Sequence, residues 1–172
     1  IMAGSLIKID EEIVSGAVAS VTLTGIDSTY DVYMVKVNQM ESVNDNVNPF
    51  LRFTVSGTGD SSANYDYAFK NLRTDSSFGN EAVTNDNEIN LDNIGTNTGE
   101  QFNCIMYLFN FNNASEYSFM TLEAVNINQA GTLKGRQGGG VLTETQITDG
   151  VQFFLSSGNI DNGTFTLYGL KK

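Results

Sequence analysis

Apolar residues in this chain recur at every second position and rarely at the three- and four-residue spacing of a helix. A period of two sends successive side chains to opposite faces of an extended strand, so the pattern calls for sheets with one buried face. Between Ala17 and Thr24, residues Ala17, Ala19, Val21 and Leu23 share one face, and Val18, Ser20, Thr22 and Thr24 the other. Similar runs span Tyr30–Val37, Phe50–Ser56, Asn64–Lys70, Phe102–Phe111, Tyr117–Val125, Gly150–Leu155 and Gly163–Leu170, with weaker ones at Ser5–Ile9, Glu88–Leu91 and Gly140–Thr143. The only proline, Pro49, stands where a strand begins and spares the ladder a missing N–H. Phe102–Phe111 is the most apolar stretch and reads as a central strand, with Cys104 as a small buried hydrophobe.

About eight firm strands, and up to eleven in all, separated by Gly/Asn/Asp/Ser clusters, describe an all-β domain of jelly-roll or β-sandwich type. The turn clusters are explicit at Thr24–Ser28, Ser56–Asp60, Asn112–Ser115 and Ser157–Gly163. Asn162-Gly163 is a preferred hairpin pair and is expected to join the strand at Val151–Ser156 to Gly163–Leu170 through a loop of about seven residues. In that final strand Phe165 and Leu167 alternate with Thr164, Thr166 and Tyr168, so Phe165 is expected in the core. Residues 1–172 form one domain in this reading, with 1–12 as an N-terminal arm. The stretch 71–100 is rich in Asp, Asn, Ser and Thr and reads as a polar surface excursion, with 41–48 and 134–140 as shorter ones.

Composition narrows the chemistry. Histidine is absent from the 172 residues, which removes Ser-His-Asp and Cys-His catalysis and the commonest zinc ligand. One cysteine allows no intrachain disulfide, and a chain of this size buries roughly 70% of its unfolded surface without one. The net charge is −11, and the nine basic residues are scattered. No basic stripe meets a phosphate backbone or an anionic bilayer, no apolar run approaches the ~20 residues of a spanning helix, and no secretory signal is expected from the opening residues. Neither nucleic acid nor membrane is an expected partner.

Individual motifs are weak. Asn44-Asp45-Asn46-Val47-Asn48 and Asn85–Asp92 offer oxygen ligands of the kind calcium uses, but neither has the spacing, central glycine or terminal glutamate of the helix–loop–helix site. Loop and turn chemistry accounts for both. Gly138-Gly139-Gly140 beside Lys134 and Arg136 lacks the Lys-Ser/Thr of a phosphate loop and reads as a flexible hairpin or a contact loop. Asn113-Ala114-Ser115 and Asn162-Gly163-Thr164 match the glycosylation pattern in a chain already rich in asparagine. The seven tyrosines fall mostly in strand patterns, as core or interface residues. No catalytic residue, cofactor or metal ligand is expected.

The C-terminal segment Gly150–Lys172, closing Gly163-Thr164-Phe165-Thr166-Leu167-Tyr168-Gly169-Leu170-Lys171-Lys172, resembles the C-termini of small virion structural proteins from tailed phages of marine bacteria. There a last strand of the form Gly-x-Phe-x-Leu-Tyr-Gly-apolar-Lys follows an apolar strand and a Gly/Asn turn. The opening Met2-Ala3-Gly4-Ser5-Leu6-Ile7-Lys8-Ile9 and the segment Ala17–Val37 resemble the same group, while residues 40–100 carry no matching motif. The resemblance implies a non-enzymatic virion component, a fibre-like or head-decoration protein. Its expected partners are further copies of itself, as a trimer covering its own sheet edges, and other virion proteins. The alternative is a carbohydrate- or host-receptor-binding module.

Overall fold

The computed structural model describes residues 5–75 and 78–171, and among them it contains strands and no helix. Thirteen strands form two antiparallel sheets: β1 (Ser5–Val14), β2 (Ser20–Thr24), β3 (Val32–Ser42), β4 (Pro49–Val55), β5 (Thr58–Gly59), β6 (Tyr65–Arg73), β7 (Gly79–Asp86), β8 (Ile89–Asn90), β9 (Phe102–Phe109), β10 (Ser118–Ile127), β11 (Leu133–Leu142), β12 (Gly150–Leu155) and β13 (Ile160–Lys171). The larger sheet runs β1-β13-β3-β9-β10-β11-β6-β7, and the smaller runs β2-β12-β4-β5, with β8 also on β4.

Strands β1, β13, β3 and β9 of the larger sheet follow the same order as β2, β12, β4 and β8 of the smaller. The chain therefore crosses from sheet to sheet between β1 and β2, β3 and β4, β8 and β9, and β12 and β13, which is jelly-roll winding. The hairpins β6–β7 and β10–β11 add four strands to one side of the larger sheet. The all-β sandwich read from the alternation is the fold, and two of its strands are two-residue pieces too short to show a period.

The core lies between the sheets. Val35, Val37, Phe102, Met106, Leu108, Phe165 and Leu167 of the larger sheet point inward at Val21, Leu23, Leu51, Phe53, Val151 and Phe153 of the smaller, all of them buried. Phe153 and Phe165 meet across the layers with ring centroids 5.3 Å apart. Cys104 belongs to this core on β9, and burial pushes its thiol pKa up.

Several local expectations are corrected. Residues 5–12 of the expected N-terminal arm belong to edge strand β1, paired with β13 from Ser5 to Val14; residues 1–4 lie outside the described residues. A bulge at Ile9 turns Asp10 toward the second sheet, where its Oδ2 accepts the Thr24 N–H at 2.9 Å. Ala17 and Ala19 are exposed, and strand β2 starts only at Ser20. Asn162-Gly163 makes no hairpin: it lies inside β13, at bulges against β3, and the strands it was expected to join belong to different sheets. Local turn chemistry is the same at a bulge and at a hairpin, and only the sheet pairing separates them.

Residues 71–100 are the largest departure. They supply edge strand β7 and the short β8, and they carry Ile89, Leu91 and Ile94 at 0% exposure. Ile89 pairs with Leu51, and Ile94 with Val47. The segment's polar residues reach cations on distant strands: Arg52 to Glu88 at 2.7 Å, Lys134 to Asp92 at 2.9 Å, and Arg136 to Glu81. A run that reads as solvent-facing by composition is in this way tied down against the inner side of β11, beside β4 of the smaller sheet.

Candidate functional site

The Asp/Asn clusters are spent on their own loops. Asp45 Oδ1 accepts the Asn46 N–H, Asp86 Oδ1 the Asn87 N–H, and Asp92 Oδ1 both the Asn93 N–H and the Lys134 ammonium. The two clusters do meet, because Val47 bridges Ile94 and the Asn93 amide donates to Asn46 Oδ1 at 2.7 Å. Among the described residues no three of His, Cys, Asp or Glu come together as a cation site. Asn46, Asn85 and Asp92 adopt positive φ, the left-handed backbone that Asn and Asp tolerate best.

The glycine run is not a hairpin. Gly138, Gly139 and Gly140 sit in the middle of β11, between β10 and β6. A Cβ at position 138 would lie 2.1 Å from the Ala68 carbonyl oxygen, and one at 140 would lie 2.8 Å from Ile89 Cδ1. The glycines are there because the backbone is crowded from both sides. Arg136, three percent exposed, turns inward to Asn71 Oδ1 at 2.9 Å, to the Asn90 carbonyl and to Glu81, with its guanidinium 4.7 Å from the Phe69 ring centroid. Neither cation beside the glycines is available to an anion.

The other singled-out residues divide by depth. Tyr33, Tyr65 and Tyr67 are core residues; Tyr65 accepts the Phe53 N–H and donates to the Asp60 carbonyl, and burial pushes the Tyr67 hydroxyl up to about 12. Tyr107 and Tyr117 are exposed. Asn113 caps its own turn by accepting the Ser115 N–H, and Asn162 Oδ1 accepts the Gly163 N–H.

What residue-by-residue reading missed is a surface. Among the described residues nothing covers the outer face of the larger sheet across β9, β10, β11, β6 and β7. Ile105, Tyr107, Phe119, Val125 and Leu72 project from it, each between 39% and 46% exposed. Register places them in rows: Tyr107, Thr121, Gly139, Ala68 and Ala82 lie side by side, as do Ile105, Glu123, Gln137, Lys70 and Asn80. The β9–β10 half is bulky, and the β11–β6–β7 half is flatter, with Leu72 among its exposed large apolar residues and Gly135, Gly139, Ala68 and Ala82 exposing backbone. A shallow, mostly apolar groove runs over Gly139 between Phe119 and Ala82. On these five strands the face carries Lys70 against Asp66 and Glu123, a net charge of −1 on a chain of net charge −11, with Lys36 flanking it on β3.

The alternation at Phe119 and Ile105 is visible in the sequence, but an outward apolar row looks there like the second face of a doubly buried strand. No protein-family model matches the chain, and no curated protein matches it. The fold and the face define a class, a jelly-roll sandwich with one open, weakly charged sheet face that exposes apolar side chains.

Proposed function

We propose that this chain is a non-enzymatic structural subunit of a virion: a self-associating jelly roll that decorates the capsid or forms part of a fibre or tail tip. The observation that carries the reading is the open sheet face. Exposed large apolar side chains gathered on one face of a rigid sandwich, with a polar row among them, suit a protein that works by contact. The charged groups of the Asp/Asn-rich segment and of β11 support it as well, since Asp86 and Asp92 accept backbone N–H groups and Lys134 and Arg136 pair with Asp92 and Glu81. The resemblance of the first strands and of Gly163–Lys172 to phage virion proteins supplies the setting. Other virion proteins are the further partners, and a homotrimer is the assembly that resemblance favours.

The test is mass spectrometry of purified particles from the phage that encodes the chain, followed by gold-labelled antibody on intact particles. The expected result is many copies per particle with label on the head or on the tail apparatus. Absence from the particle overturns the reading, and a soluble glycan bound by the free chain would support the receptor-binding module in its place.

A further inference from the structure

The outer face has the features of a self-complementary surface. We propose that it binds a second copy of this chain, the bulky β9–β10 half of one copy seating on the flat β11–β6–β7 half of the other, with Lys70 of each opposite Glu123 of its neighbour. The inference rests on the assembly part of the function proposed above and names the surface that performs it.

Shape gives the first argument. Tyr107, Ile105, Phe119 and Val125 stand on one side of β11, and the row Gly139, Ala68 and Ala82 leaves a low strip across β11 and the other side. Large residues over small ones let two sheets approach to the ~10 Å of face-to-face packing. A face with one bulky and one flat half is filled by a copy of itself turned about an axis along β11, an isologous seating that uses both halves of both copies and closes a dimer.

Charge gives the second. Two copies each carrying −11 repel over most of their surfaces, and this face carries only −1 of that charge. Lys70 and Glu123 lie in one row, on either side of Gln137. Both are held upright by neighbours, Lys70 donating to Asn80 Oδ1 at 3.0 Å and Gln137 donating to Glu123 Oε1 at 2.9 Å. Turning one copy about β11 exchanges their positions, so each meets the opposite sign.

Area gives the third. Five strands about 4.8 Å apart and about nine residues long span roughly 24 by 30 Å. That is close to the ~800 Å² per partner of a standard interface.

The experiment compares the full chain with Lys70→Glu, Glu123→Lys and the double reversal, using light scattering after size exclusion over a micromolar range. Circular dichroism melts check that every variant is folded, as solvent-facing positions allow. The expected result is a wild-type dimer, single reversals that dissociate at least about tenfold more readily, and recovery in the double reversal. A wild-type multimer indifferent to all the reversals, or singles that dissociate with no recovery in the double, overturns this face and leaves self-association standing. A wild-type monomer throughout overturns both this face and the assembly part of the proposed function.

Discussion

At the scale of single residues, burial decides which changes matter. Phe165 is fully buried against Phe153, between the two sheets. Truncating a core phenylalanine costs roughly 3–5 kcal/mol, a large part of the ~5–15 kcal/mol stability of a domain. Phe165→Ala should therefore lower Tm by roughly 10 °C or more, and an unchanged melt would contradict the packing. The glycines of β11 give a paired comparison. A Cβ at Gly138 would meet a backbone carbonyl at 2.1 Å, while one at Gly135 finds its nearest neighbour, Leu72 Cβ, at 3.5 Å. Gly138→Ala should destabilise by at least ~2 kcal/mol, and Gly135→Ala should stay within ~1 kcal/mol of wild type, both read from urea midpoints.

At the scale of elements, the edge pair β7 and β8 depends on Arg136. Its guanidinium bonds to Asn71 on β6, to Glu81 on β7 and to the Asn90 carbonyl on β8, so one buried cation ties three strands to β11. Removing one partner of a buried network leaves the others unsatisfied and costs roughly 3–5 kcal/mol; the quarter-exposed Glu81 places this case at the low end. Arg136→Met should raise amide exchange in 79–91 before it does so in β9 or β13, as hydrogen-exchange mass spectrometry would show. Arg73 and Asp75 make a comparison pair: both are more than a third exposed, and Arg73→Ala should change the melt little. Uniform exchange across the sheet after Arg136→Met would mean that the edge does not open as a separate unit.

At the scale of the whole molecule, stability should form a plateau bounded on both sides by pH. The Arg73 guanidinium beside Asp75 holds that carboxyl down at about 2, and Glu11 and Asp27 are lowered by Lys8 and by the Thr29 side chain and N–H. A carboxylate held low in the fold contributes stability above its unfolded pKa, and the contribution is lost as pH falls through the folded value. The buried tyrosines act with the opposite sign. Burial raises Tyr33, Tyr65 and Tyr67, so the unfolded chain loses its phenolic protons first, near 10, and stability falls from there as pH rises through the folded value of about 12 for Tyr67. Tm measured against pH should be level from mildly acidic to pH 9 and fall beyond both limits, the alkaline fall accompanied by the phenolate absorbance band. A midpoint near 10 with no loss of structure would mean that the tyrosines titrate in the folded chain and are not buried.

Much of this protein is determined by short-range pattern. Alternation at Tyr65, Tyr67 and Phe69, at Cys104, Met106 and Leu108, and at Phe165 and Leu167 names the strands and their buried faces, because a period of two is a property of one strand's backbone. The absence of histidine limits the chemistry in the same local way. Tertiary structure alone decides which strands are neighbours, and so the meaning of Asn162-Gly163, Gly138–Gly140 and the polar run 71–100. Each of these depends on contacts across many residues, such as Arg136 with Glu81 and Ile94 with Val47, that no window of sequence contains. The open face is of that kind too. Ile105, Phe119 and Leu72 lie far apart in the chain, and only hydrogen-bonded register brings them onto one surface.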